Sequence, residues 1–82
     1  MRPEDVLELL RERPFQPFRV HLTDGKTYLV NHPELAIVFH SKVMIVKPGP
    51  SPLKPARGYD FISLLHITRL EPLGDGAPRS KR

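Results

Sequence analysis

The sequence predicts a mainly β domain with one N-terminal helix. Three observations carry that expectation. Phe18, Val20 and Leu22 alternate with Arg19, His21 and Thr23, which is the two-residue period of a half-buried strand. Asp24-Gly25 follows directly, and glycine accepts the positive φ that a tight hairpin turn needs. Residues 3–13 carry helical apolar spacing that ends at Pro14. The expected architecture is a helix followed by about five short antiparallel strands. These would form a small five-stranded barrel or a strongly bent sheet, with a flat sheet crossed by one helix as the alternative.

Each element has a local reason. Pro3 suits the first helical position, where a missing N–H costs nothing. Glu4 and Asp5 sit at the positive end of the helix dipole, and Arg11 and Arg13 at the negative end. Val6, Leu7, Leu9 and Leu10 form an apolar stripe. A helix this short must lie on something to be stable. Phe15 is expected to pin the helix end to the sheet, and Phe18 to begin the core face.

Strands are expected over about 18–23 and 26–31, joined by a two- or four-residue loop. Either loop places Leu22 opposite Thr27, His21 opposite Tyr28, Val20 opposite Leu29 and Arg19 opposite Val30. One face is then Phe18, Val20, Leu22 and Leu29, the core. The other is Arg19, His21, Thr23, Lys26, Tyr28 and Val30. Pro33 cannot donate a ladder hydrogen bond, so "HPEL" interrupts the second strand. "AIVFH" (36–40) and "VMIVK" (43–47) are continuously apolar, the pattern of strands covered on both faces. They are also more than a chain this small can hide, so they are equally expected to expose an edge or a face that self-association covers. "PGPSPLKPARG" is a stiff loop. "YDFISLL" (59–65) is a strand, and a brief turn at Leu65-His66 leads into a last strand over 67–71. Residues 1–73 form one domain, and 74–82 read as a disordered basic tail.

Bulk properties narrow the function classes. Eighty-two residues make one domain with a small core. The chain has no cysteine, which removes disulfides, thiol catalysis and cysteine-ligated zinc, and fits a reducing cytoplasm. No apolar run approaches the ~18 residues of a membrane span. The net charge is +4. Arg79, Lys81 and Arg82 against Asp75 place half of that excess in the tail, so the folded part offers a weak electrostatic footprint.

Two resemblances enter here. The run "RPFQPFRVHLTDGKTYLVNHPE", with "ISLLHITRLEPL" near the end, resembles segments shared by a group of short uncharacterised bacterial proteins. That resemblance implies a bacterial cytoplasmic protein and no particular activity. The second is one of pattern. A helix, then "VHLTDGKTY", a bent strand and "ISLLHITRLEP" resemble the Sm-like family of small SH3-like barrels, which includes the bacterial Sm-like RNA chaperone. Leu22, Asp24 and Gly25 match that family's first turn, and His66, Ile67, Leu70 and Pro72 echo its last strand. The resemblance implies a ring oligomer and RNA binding. The chain departs from it at Leu29-Val30, where the family carries glycine, and at Leu65-His66, where the chaperone carries Lys-His.

Few residues are placed for chemistry. His21, His32, His40 and His66 lack the spacing of a zinc site. His32 and Glu34 flank Pro33 and read as polar side chains of a strand irregularity. Ser41 and Ser51 read as loop residues and Ser80 lies in the tail, which leaves Ser63 with His66 as the one tempting nucleophile–base pair. On a regular strand their side chains point to opposite faces. No glycine-rich phosphate loop is present, and neither cofactor nor metal is expected. The candidate binding surface is Arg19, His21, Lys26 and Tyr28, extended by Lys42 and Arg69. Cations beside an aromatic ring suit phosphate contact and base stacking. The same residues also read as a solvated face, with Tyr28 packing on His21.

The function expected from sequence is a small non-enzymatic cytoplasmic binding module. It would form a homo-oligomer, with nucleic-acid binding through one polar sheet face. The alternatives are a protein–protein adaptor with no nucleic-acid role, and a small hydrolase using Ser63 and His66. The prolines of the 48–58 loop read as a stiff surface connector, or as an extended ligand for a protein partner.

Overall fold

A computed structural model describes residues 1–51 and 53–73; the expected basic tail lies outside the described residues. The chain begins with helix α1, Pro3–Arg11. Six strands follow: β1 Phe18–Leu22, β2 Thr27–Val30, β3 Ala36–Val38, β4 Lys42–Lys47, β5 Gly58–Ser63 and β6 Ile67–Pro72. They form two three-stranded antiparallel sheets, ordered β2-β1-β6 and β3-β4-β5, with no closed barrel. The count is six because Pro33–Leu35 forms a single 3-10 turn that splits the expected second strand. A second such turn, Leu64–His66, separates β5 from β6, close to where the sequence placed one.

The helix stops at Arg11, two residues short of the expected end. Glu12 is already extended, with φ −62° and ψ 140°. Pro14 disfavours helical geometry at Arg13, and the chain leaves the helix ahead of that restriction. At the other end Asp5 Oδ2 accepts the Arg2 N–H at 3.1 Å, satisfying one donor the helix cannot pair. Val6 and Leu10 are buried, and α1 packs along β3.

The β1–β2 register differs by one residue from the expected pairing. Leu22 N–H donates to Lys26 O at 2.9 Å, and Gly25 N–H to Leu22 O at 3.0 Å. The loop is therefore the three residues Thr23–Gly25, with Gly25 at φ 89°. Phe18 lies opposite Val30, Arg19 opposite Leu29, Val20 opposite Tyr28 and His21 opposite Thr27. A one-residue slip turns every side chain of a strand to the other face. Val30, expected on the mixed face, is fully buried. Leu29, expected in the core, is 46% exposed.

One core serves both sheets. Phe18, Val20, Val30 and Ile67 from the first meet Ala36, Val43, Ile45 and Ile62 from the second, and Val6 and Leu10 of α1 join them. Phe15 packs against this cluster with its ring centroid 6.2 Å from that of Phe18, as expected for a residue pinning the helix end. Two bonds tie the turns together. Thr23 N–H donates to His66 O at 2.9 Å, and Leu64 N–H to Ser41 O at 2.9 Å.

The outer face of β3-β4-β5 is open. Continuous apolar runs gave two expectations, strands covered on both faces or strands exposing an edge or a face, and the structure covers only the inner face. Ile37, Met44 and Phe61 lie side by side across the three strands, with Val46 beside Tyr59. Ile37 is 47% exposed, Phe61 51% and Tyr59 58%.

Candidate functional site

The structure divides the six residues grouped by sequence into three settings. Arg19 and His21 lie on the outer face of β1. Across the β1–β6 ladder, Arg69 stands opposite His21 and Glu71 opposite Arg19. His21 Nε2 is 2.8 Å from Glu71 Oε1, and an Arg19 guanidinium nitrogen is 3.7 Å from the same oxygen. The hydrogen bond from His21, helped by the charges of Arg69 and Arg19, holds the Glu71 carboxyl below its ordinary value. A carboxylate thus offsets part of the positive charge on this face. Sequence reading missed Glu71, because only the β1–β6 pairing brings residues fifty positions apart together.

Lys26 and Tyr28 are not on that face, a correction that follows from the register. Tyr28 lies opposite Val20 and is partly buried against the core, so it does not pack on His21. Its hydroxyl donates to Asp60 Oδ2 at 2.7 Å, and Lys47 Nζ is 3.4 Å from the same oxygen. The bond to Asp60 and partial burial push the Tyr28 phenol above its ordinary value. The same bond, then Lys47, holds Asp60 below its own. Lys26 and Tyr28 line an open cleft of about 310 Å³ with Asp24, Phe61, Ser63 and His66.

Lys42 belongs to the other sheet. Its Nζ lies 4.6 Å from the Phe61 ring centroid and 5.7 Å from that of Phe39. Phe39 and Phe61 are 6.0 Å apart, and Tyr59 meets Phe61 edge-on at 5.6 Å. This exposed aromatic cluster was not singled out from sequence. The available signal was the two-residue spacing of Tyr59, Phe61 and Ser63 in "YDFIS".

Ser63 and His66 line the same cleft, but the Ser63 hydroxyl caps the 3-10 turn by accepting the Leu65 N–H at 3.2 Å. No hydrogen bond joins it to His66 among the described residues. His32 and Glu34 are exposed on either side of Pro33. Among the described residues no three His, Cys, Asp or Glu side chains converge. No described helix is long and apolar enough to cross a membrane.

At the level its fold defines, the chain is a small mainly β domain of two three-stranded sheets and one helix. Compared with known proteins, it matches no family model, no curated protein and no solved structure.

Proposed function

We propose that this chain is a small non-enzymatic binding module that self-associates through its β3-β4-β5 sheet. One observation carries the reading: Ile37, Phe39, Tyr59 and Phe61 are exposed together on the outer side of that sheet. Single exposed apolar residues are ordinary, but a contiguous group marks an interaction surface. The alternative polar face has less to offer an anionic ligand, because its cations are divided between the sheets and Glu71 engages His21 and Arg19. The engagement of the Ser63 hydroxyl in a turn supports the non-enzymatic reading.

The strand order supports the same view. With β2 and β3 counted as halves of one strand broken at Pro33, the order is β6-β1-β2/β3-β4-β5. That order is the bent meander expected of an Sm-type fold, whose resemblance implies a ring oligomer and RNA binding, while the resemblance to short bacterial proteins implies a bacterial cytoplasmic setting. The test is a native mass measurement on protein purified from cells. Two or more chains per particle are expected, and a single-chain mass at micromolar concentration overturns the reading.

A second reading, single-stranded nucleic-acid binding, has one observation in its favour. Lys42 shares a face with the exposed rings of Phe39 and Phe61, and a cation beside stacking rings suits a nucleotide strand. Co-purifying nucleic acid in the same mass measurement would support it.

A further inference from the structure

We infer that two copies of this chain join through strand β5, edge to edge and antiparallel, with Phe61 of each copy opposite Phe61 of the other. The inference rests on the self-association proposed above and assigns the contact to the β5 edge of the same sheet, beside its exposed outer face.

The two sheets leave four strand edges, and three are blunted. The β3 edge has α1 packed along it. β6 carries Arg69, Glu71 and Pro72, and β2 has only four residues. Charges, proline and short length are the usual ways of protecting an edge. β5 has none of these three: it has six residues, no proline, and one charge, Asp60, on the inner face and held by Tyr28 and Lys47. Along Phe61–Ser63 its edge opens onto the cleft whose other wall is the β1–β2 hairpin.

Backbone direction decides which groups this edge offers. At the end of the β4–β5 ladder, Leu64 N–H donates to Ser41 O. Strand N–H and C=O groups alternate in direction residue by residue. Those of Ile62 and Asp60 therefore turn toward β4, and those of Tyr59, Phe61 and Ser63 turn away. Among the described residues, none of the backbone bonds outside the ladders involves Tyr59, Phe61 or Ser63. Three consecutive outward pairs are thus free to meet a second strand.

Self-complementarity then selects the register. Side chains directly opposite in an antiparallel pair share a face, and among symmetric pairings of Gly58–Ser63 only those centred on Asp60 or on Phe61 keep most of the strand paired. Centring on Asp60 sets two carboxylates opposite each other, which is destabilising. Centring on Phe61 places ring against ring on the outer face, Tyr59 opposite Ser63 of the partner subunit, and Asp60 opposite Ile62 of the partner subunit. All three outward pairs are then satisfied. The product is a six-stranded sheet whose outer face carries both aromatic clusters side by side.

The absence of cysteine allows a clean test. Directly opposite residues in a hydrogen-bonded antiparallel pair have Cα atoms about 5.5 Å apart, within disulfide reach. Single variants Tyr59→Cys, Phe61→Cys and Ser63→Cys are oxidised after native mass has been measured on each. Phe61→Cys alone is expected to give a covalent homodimer. Tyr59→Cys and Ser63→Cys are each expected to stay uncrosslinked alone and to form a covalent heterodimer when mixed. A single-chain native mass for the unmodified protein defeats the parent reading of self-association. An associated protein in which Phe61→Cys fails to crosslink, and in which the Tyr59→Cys and Ser63→Cys mixture also fails, overturns the edge pairing alone. Efficient homodimers of Tyr59→Cys or Ser63→Cys overturn the register.

Discussion

The Tyr28 hydroxyl donates a 2.7 Å hydrogen bond to Asp60 Oδ2 and so ties β2 of one sheet to β5 of the other. Each partner shifts the other's titration, Tyr28 upward and Asp60 downward. Asp60 has a folded value below its unfolded one. Its contribution is present above the unfolded value and fades as pH falls through the acid range, below about 4. Tyr28 has a folded value above its unfolded one. Its contribution is present at neutral pH and fades as pH rises beyond about 10. Tyr28→Phe should lower the melting temperature by a few degrees at pH 7 and flatten both limbs of the stability–pH curve. Thermal melts across pH check this; a variant curve parallel to the native one would remove the bond from the account.

Glu71 gives a one-sided pH effect. His21, then Arg69 and Arg19, depress its carboxyl. The stabilisation is present above the unfolded carboxylate value and is lost as pH falls through the folded one. Glu71→Gln should lose stability at neutral pH and converge on the native protein in strong acid. Urea melts at neutral and acid pH measure that convergence.

The register of the first hairpin makes neighbouring residues unequal. Val30 is fully buried and Leu29 half-exposed. Val30→Ala should cost about 2 kcal/mol, whereas Leu29→Ala should cost under about 0.5 kcal/mol. Equilibrium unfolding of both variants decides it, and the reverse order would restore the register expected from a two- or four-residue loop.

Gly25 is needed for its backbone. It adopts φ 89°, and an added Cβ would meet nothing within 4 Å. Gly25→Ala should therefore cost about 1–2 kcal/mol through the left-handed conformation alone, read from the shift in urea midpoint.

The nucleic-acid reading separates two surfaces. Oligonucleotide binding at low salt, where it occurs, should weaken in Lys42→Ala and Phe61→Ala and fall steeply with added salt. Arg19→Ala should leave it within about twofold, because Glu71 already engages that side of β1. Fluorescence anisotropy with a short labelled strand compares the three.

Much of this architecture was legible along the chain, for local reasons. Pro14 ended the helix region, Asp24-Gly25 marked the hairpin, and Pro33 broke the strand at the place where a 3-10 turn stands. Register was not legible. Loops of two, three or four residues all fit "TDGK", and only the bond from Leu22 to Lys26 chooses among them. That one-residue ambiguity moved Tyr28 and Lys26 off the face shared by Arg19 and His21. The apolar face was legible only as one of two alternatives. A continuous run such as "VMIVK" has the same pattern whether its second face is covered by the chain's own fold or left open. Asp60 and Glu71 could be placed only once strands distant in sequence were paired.

Self-association through β3-β4-β5 is the central claim, and sedimentation mass tests it most directly. The chain alone is 9.4 kDa. The native protein should sediment at twice that mass or more, and Phe61→Glu, which sets two carboxylates together at the centre of the joined strands, should sediment as one folded chain. A native protein that sediments as a single chain at high micromolar concentration would contradict the account.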